Sequence, residues 1–148
     1  MDTKKPLWTC PKCKKKFVTR NLWHSCGRFT VAQFFAGKSL RVRKLYREFV
    51  KFVRQCGPII IDPAKTRISF QARVRFAGVA KAGKDSITAG FWLKRRIHSP
   101  RFTKVEFIPP NNHVYQFLIT DTKDLDEETL SWIKEAYEVG TQEHLRKV

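Results

Sequence analysis

Hydrophobic residues recur along this chain with two different periods, and the change of period divides it. Between residues 39 and 56, Val42, Leu45, Tyr46, Phe49, Phe52, Val53 and Cys56 fall three or four positions apart, the spacing that puts side chains on one face of an α-helix. Ser39 stands where an N-cap belongs, and Gly57-Pro58 stops the helix after about Gln55. Just upstream, Thr30 and Gln33 form a T-x-x-Q capping box ahead of VAQFFA, and Gly37 is placed to end one or two turns. That segment predicts a short connector helix docked through Phe34 and Phe35.

After Pro58 the period drops to two. PIIID reads as a short buried strand. From residue 67 onward, Ile68, Phe70, Ala72, Val74 and Phe76 alternate with Arg67, Ser69, Gln71, Arg73 and Arg75, so one face is apolar and the other basic. This stretch is either one long strand or two joined by a tight bend near Ala72 and Arg73. A turn from Lys81 to Asp85 leads into SITAGFWLKRR, with Ile87, Ala89, Phe91 and Leu93 on one side and Thr88, Trp92 and Lys94 on the other. Hairpin pairing places Trp92 and Lys94 on the face of the arginines. Residues 98–110 read as a loop or a weak strand over 104–108, closed by PPNN, and HVYQFLIT is a last strand. Asp124 with Glu127 offers a second capping box, opening a helix whose inner stripe is Leu130, Ile133 and Tyr137 and whose end is Gly140.

This order predicts an α+β fold: an antiparallel sheet of about four to five strands with both long helices on one face, preceded by a small zinc-binding module. The expected division is residues 1–28, a metal module with a basic arm, and residues 29–148, the α+β domain.

Charge changes the picture next. The chain of 148 residues carries a formal net charge of +17. Residues 1–57 hold 15 Lys and Arg against 2 acids, residues 58–119 hold 11 against 3, and residues 120–148 hold 4 against 8. A polyanion, nucleic acid above all, is the partner such a distribution suits, and the C-terminal segment is the part least suited to meet it. On the predicted α-helix, Arg43, Arg47, Lys51 and Arg54 form a cationic stripe with Glu48 as its nearby acid. The bland reading is a solvated helix face. No window has the run of apolar residues that a membrane span needs, and the N-terminus has no apolar leader core, so a cytoplasmic protein with no membrane partner is expected.

The clearest chemistry lies in CPKCKKKFVTRNLWHSC, from Cys10 to Cys26. A C-x2-C turn presents two thiolates from one tight loop, and His24-x-Cys26 returns a second pair, which together make the Cys10, Cys13, His24, Cys26 set of a tetrahedral zinc site. A closed Cys3His set implies one structural Zn2+ rather than a hydrolytic one, and binding it lowers the net charge to about +16. The opening C-x2-C-x3-F resembles a two-Cys two-His finger with Phe17 as the small-core aromatic. The second half departs from it: residues two apart on a helix point roughly 200° away from each other, so His24 and Cys26 cannot both ligate from a regular helix. Base-specific readout by a recognition helix is therefore not expected, while Lys12, Lys14, Lys15, Lys16, Arg20 and Arg28 can still grip phosphates. Trp8 and Trp23 are read as packing residues, and Cys56 as a small apolar residue.

Taken together, LWTCPKCKKKF, NLWHSCGRF, FFAGK, KTRISFQARVRFAGV, GFWLKRR and DLDEETLSWIKEAYEVG resemble a bacterial family of small domains of unknown function. The resemblance implies an α+β domain preceded by a Cys/His metal module, with Cys10, Cys13, His24 and Cys26 at the matching positions, and it implies no activity.

The residues then favour binding of nucleic acid without strong sequence preference. RNA, the ribosome included, or single strands are favoured over sequence-specific DNA because Trp92 among cations can stack an unpaired base. The proposed surface joins the metal-module lysines, the helix stripe, and Arg67, Arg73, Arg75, Trp92 and Lys94. The alternatives are an adaptor for an acidic protein and an enzyme acting on nucleic acid. For the last, candidate groups are thin (His98, His113, Glu106), with no nucleophile motif or phosphate loop, and no catalytic residue is assigned.

Overall fold

The computed structural model describes residues 6–18, 24, 26 and 28–142. Near the N-terminus β1 (Trp8–Thr9) pairs antiparallel with β2 (Lys16–Phe17). Both caps read from the sequence ahead of residue 40 then close on helices. The Gln33 amide donates to Thr30 Oγ1 at 3.1 Å, and the Thr30 amide donates to the Gln33 side chain at 2.9 Å, starting α1 (Val31–Phe34). Ser39 Oγ accepts from the Val42 amide at 3.2 Å and starts α2 (Leu40–Arg54). The apolar stripe of α2 buries Val42, Leu45, Tyr46, Phe49, Val50, Phe52 and Val53.

Six antiparallel strands follow: β3 (Ile60–Pro63), β4 (Ile68–Gln71), β5 (Arg75–Ala82), β6 (Ile87–Leu93), β7 (Phe102–Ile108) and β8 (Asn112–Ile119), in the spatial order β3-β4-β5-β6-β8-β7. Six strands exceed the four to five expected, because the stretch over 104–108 is a full edge strand. The alternation from residue 67 resolves into β4 and β5. The bend between them is held from outside: the Arg73 and Val74 amides both donate to the Gly140 carbonyl, at 2.8 and 3.0 Å.

The cross-strand row Phe70, Ala77, Phe91, Tyr115 lies on one face. Tyr46 and Phe49 of α2 pack on Phe70, and Trp132 of α3 (Glu127–Thr141) stacks on Phe91 with centroids 5.4 Å apart. Both long helices therefore cover the same face, as the periodicity implied, and the core sits between them and the sheet. Fully burying side chains of this size stabilises by about 1.5–3 kcal/mol each. The opposite face carries the row Ser69, Gly78, Gly90, Gln116 and the row Trp92, Val114, Glu106.

The last helix starts two residues later than Asp124 predicts. Asp126 is its N-cap and forms the capping box with Thr129, while Asp121 caps a short 3-10 turn, Thr122–Asp124. Asp121, Asp124 and Asp126 compete for the cap, and the one whose partner hydroxyl can return the hydrogen bond takes it. The inner stripe is centred on Trp132, Ile133, Ala136 and Val139, with Leu130 and Tyr137 only half-buried. Gly140 does not end the helix, which closes at Gln142 in the left-handed conformation. Its glycine has a packing reason instead: a Cβ there would lie 2.6 Å from the Phe76 ring.

Candidate functional site

The β1–β2 hairpin folds the C-P-K-C turn by two backbone bonds. The Cys10 amide donates to the Lys15 carbonyl and the Lys14 amide to the Cys10 carbonyl, both at 2.9 Å. Lys14 takes the left-handed conformation that lets the loop close so tightly. Phe17 is buried beneath the site, its ring 4.4 Å from that of His24 and 6.3 Å from that of Trp8. Cys26 also adopts positive φ, consistent with a second ligand pair that is not helical.

These features bring the four ligand atoms within 4.8 Å of one another. Cys10 Sγ lies 3.7 Å from Cys26 Sγ, and Cys13 Sγ 3.2 Å from His24 Nε2. A tetrahedral ion with metal–sulfur bonds of about 2.3 Å sets its sulfurs about 3.8 Å apart, so the sulfur pair is at ligand spacing and the Cys13–His24 pair is a few tenths of an ångström tighter. The Cys13 backbone N–H, aided by that of Lys12, pulls the Cys10 thiol down to about 6. Desolvation, with the neighbouring Cys10 and Cys13, pushes the Cys26 thiol up. The quartet can hold one metal ion.

The hairpin is docked on the helix-free face of the sheet. Asp62 of β3 is buried and accepts Lys15 Nζ at 3.1 Å and an Arg75 guanidinium nitrogen at 3.3 Å. Gln71 Nε2 donates to the Lys16 carbonyl. Beside this joint lies a cleft of about 310 Å³. Its lining includes Trp92 and Arg75 of the sheet, Phe17 and Val18 of the hairpin, Arg73 and Gln142, and Lys94 with Asn112. A second cleft of about 310 Å³ adjoins it on the same face, lined by Arg67, Ser69, Gly78, Gly90 and Gln116, and it shares Arg75 and Trp92 with the first.

The cations of this face are held rather than loose. Arg73 Nε donates to Gln142 Oε1 at 3.0 Å, and Lys94 Nζ to Asn112 Oδ1 at 2.6 Å. Burial lowers the Arg75 guanidinium below its ordinary value, with Asp62 opposing that shift, and burial lowers the Lys94 ammonium. Asp62 is shared between Lys15 and Arg75, so among the described residues the cations lining the two clefts outnumber the carboxylates beside them.

The structure thus divides the predicted cationic set. Arg67, Arg73, Arg75, Trp92 and Lys94 come together around the two clefts. Lys12, Lys14 and Lys16 are exposed on the hairpin next to them, Lys15 is taken by Asp62, and Arg28 is exposed. The α2 stripe belongs elsewhere: α2 covers the opposite face of the sheet, where Arg43 donates to the Phe35 carbonyl at 3.3 Å, Lys51 pairs with Glu48, and Arg47 and Arg54 are exposed. Arg20 and Trp23 lie outside the described residues. His113 sits between the rings of Phe107 and Tyr115. Sequence reasoning missed Asp62, Asn112 and Gln142; of these only Asp62 left a signal, as a lone carboxylate at the end of an apolar strand in a strongly basic region.

Among the described residues no helix is long and apolar enough to cross a membrane. No curated protein and no solved structure matched the chain. A family model described as Domain of unknown function (DUF5655) matches residues 31–140, from α1 through the six-stranded sheet into α3, with the Cys/His quartet ahead of it, and the chain belongs to that family.

Proposed function

We propose that this protein binds single-stranded nucleic acid, RNA in preference to DNA, through the helix-free face of its sheet, and that the quartet holds one structural zinc. The observation that carries the reading is that half-buried Trp92 lines both of two adjoining clefts, whose other lining residues include Arg67, Arg73, Arg75 and Lys94. A base stacked on an aromatic ring is worth about 1–3 kcal/mol, and the flanking cations meet the phosphates on either side of it. A duplex keeps its bases stacked inside and offers Trp92 nothing comparable, which favours unpaired segments of a structured RNA such as that of the ribosome, in the cytoplasm. Three thiolates and an imidazole suit zinc, and four protein ligands leave no open position for a substrate. The zinc would fix the hairpin that walls the cleft.

The test is a fluorescence-anisotropy titration of a labelled single-stranded RNA across a range of salt. Each phosphate neutralised on a single strand contributes a slope of about −0.7 in log affinity against log salt, so Arg67 and Lys94 together predict a slope of about −1.4 or steeper. A flat response, or equal affinity for duplex DNA of the same length, would overturn the reading.

A further inference from the structure

The sheet has two edge strands, β3 and β7, and β7 is paired on one side with β8. Edge strands in soluble proteins are usually short, interrupted or covered. This one runs through seven residues and exposes large apolar side chains: Val105 is 56% exposed, Phe107 53% and Ile108 38%. Val105 and Phe107 lie opposite Tyr115 and His113, hence on the helix side of the sheet, where the cover from α3 reaches Phe102 through Trp132. Lys104 and Glu106 lie opposite Gln116 and Val114, on the other side.

The charge pattern of this edge is complementary to itself. An antiparallel pairing of two β7 strands about an axis normal to the sheet keeps each face on its own side, so directly opposed residues share a face. Centred on Lys104 or on Glu106, that pairing sets like charges against each other, which is destabilising. Centred on Val105, it sets Lys104 of each copy against the partner's Glu106 and brings Val105 and Phe107 of both copies together on the helix side. Only one of these three neighbouring registers satisfies both the charges and the apolar surface.

We propose that two copies of this chain join β7 to β7 in antiparallel register centred on Val105, forming one continuous sheet. The pairing leaves both Trp92 clefts on the same side of that sheet, five strand spacings or about 24 Å apart. It rests on the strand edge alone and does not depend on what the clefts bind.

The test is sedimentation equilibrium of the full chain in the presence of zinc, freed of nucleic acid as judged by its absorbance ratio. The expected result is a mass rising with concentration from 17.4 kDa toward twice that value. Lys104→Glu and Glu106→Lys each place two like-charge pairs in the interface and are expected to weaken dimerisation about tenfold. The double exchange K104E/E106K restores complementarity and is expected to recover affinity to within about threefold of the parent. All four proteins should share one far-UV spectrum, since both side chains are exposed. A mass of 17.4 kDa at every concentration would overturn the proposal. So would a double exchange no better than the single ones.

Discussion

Replacing Asp62 by alanine removes the ion pair that ties the metal hairpin to the sheet, releasing Lys15 and Arg75 from its carboxylate without changing a ligand residue. The Asp62 side chain is 4% exposed, and it accepts from Lys15 and Arg75, whose side chains are 23% and 17% exposed. Removing one member of a buried ion pair costs about 3–5 kcal/mol, mostly from the charge left behind in a poorly hydrated place. Lys15 retains access to water, which places the expected loss at the low end, about 3 kcal/mol. For a chain of this size each kcal/mol lowers the melting temperature by about 2–4 °C, so Asp62→Ala should melt about 6–12 °C lower. Lys15→Met leaves the Arg75 pairing in place and should cost only about 1 kcal/mol. The assay is thermal unfolding followed by circular dichroism, with bound metal measured on the same samples. Metal content should stay at that of the parent protein, because all four ligands lie between residues 10 and 26, ahead of the six-stranded sheet. A shift below about 2 °C would refute the reasoning from burial, and loss of metal together with stability would show that the hairpin depends on the sheet for its fold.

Two further outcomes follow from the same geometry. Cys13→Ser removes one ligand of the metal quartet, whereas the buried core cluster runs from Phe35 to Ala136 and takes none of its members from the hairpin. Bound zinc should therefore fall sharply while most of the far-UV signal survives and RNA affinity drops only in part; global unfolding of the variant would contradict this. Acid sensitivity should centre on the caps of the last helix and of the 3-10 turn before it. The Thr129 backbone N–H, with Arg101 beside it, holds the Asp126 carboxyl below its ordinary value, and the Lys123 backbone N–H does the same for Asp121. Depressed carboxyls contribute stability that is complete above the unfolded value of 3.8 and is lost as pH falls through the lower native values. In denaturant titrations Asp126→Ala should cost about 1 kcal/mol near neutral pH, with the gap from the parent closing in strong acid; a constant gap would refute the assignment.

How far the sequence reveals this molecule depends on how local each determinant is. The metal quartet is legible in full, because Cys10, Cys13, His24 and Cys26 declare themselves by ligand type and spacing. The caps at Thr30 and Ser39 are equally local. The bend between β4 and β5 is not, since alternation runs on through it and what breaks the strand is the carbonyl of Gly140, far along the chain. The start of α3 is displaced for a subtler reason: Asp121, Asp124 and Asp126 all offer caps, and tertiary contacts with Arg101 favour the last. Period-two alternation correctly groups Arg75 with Trp92 and marks the other face as apolar, but no local rule excludes the α2 cations from the Trp92 surface. The α2 stripe and the Trp92 face are both cationic, and only the packing of α2 on the core face separates them.

The central claim concerns Trp92, and the most direct measurement is the affinity of Trp92→Ala and Trp92→Phe for a single-stranded oligonucleotide at fixed salt, with the salt slope taken for each. Loss of a stacking platform predicts a decrease of about tenfold to a hundredfold for the alanine variant, a smaller one for phenylalanine, and an unchanged salt slope, because no cation is removed. Lys94→Ala, by contrast, should reduce the slope by about 0.7. Parental affinity in the folded Trp92→Ala protein would contradict the account and move the search for function away from this face of the sheet.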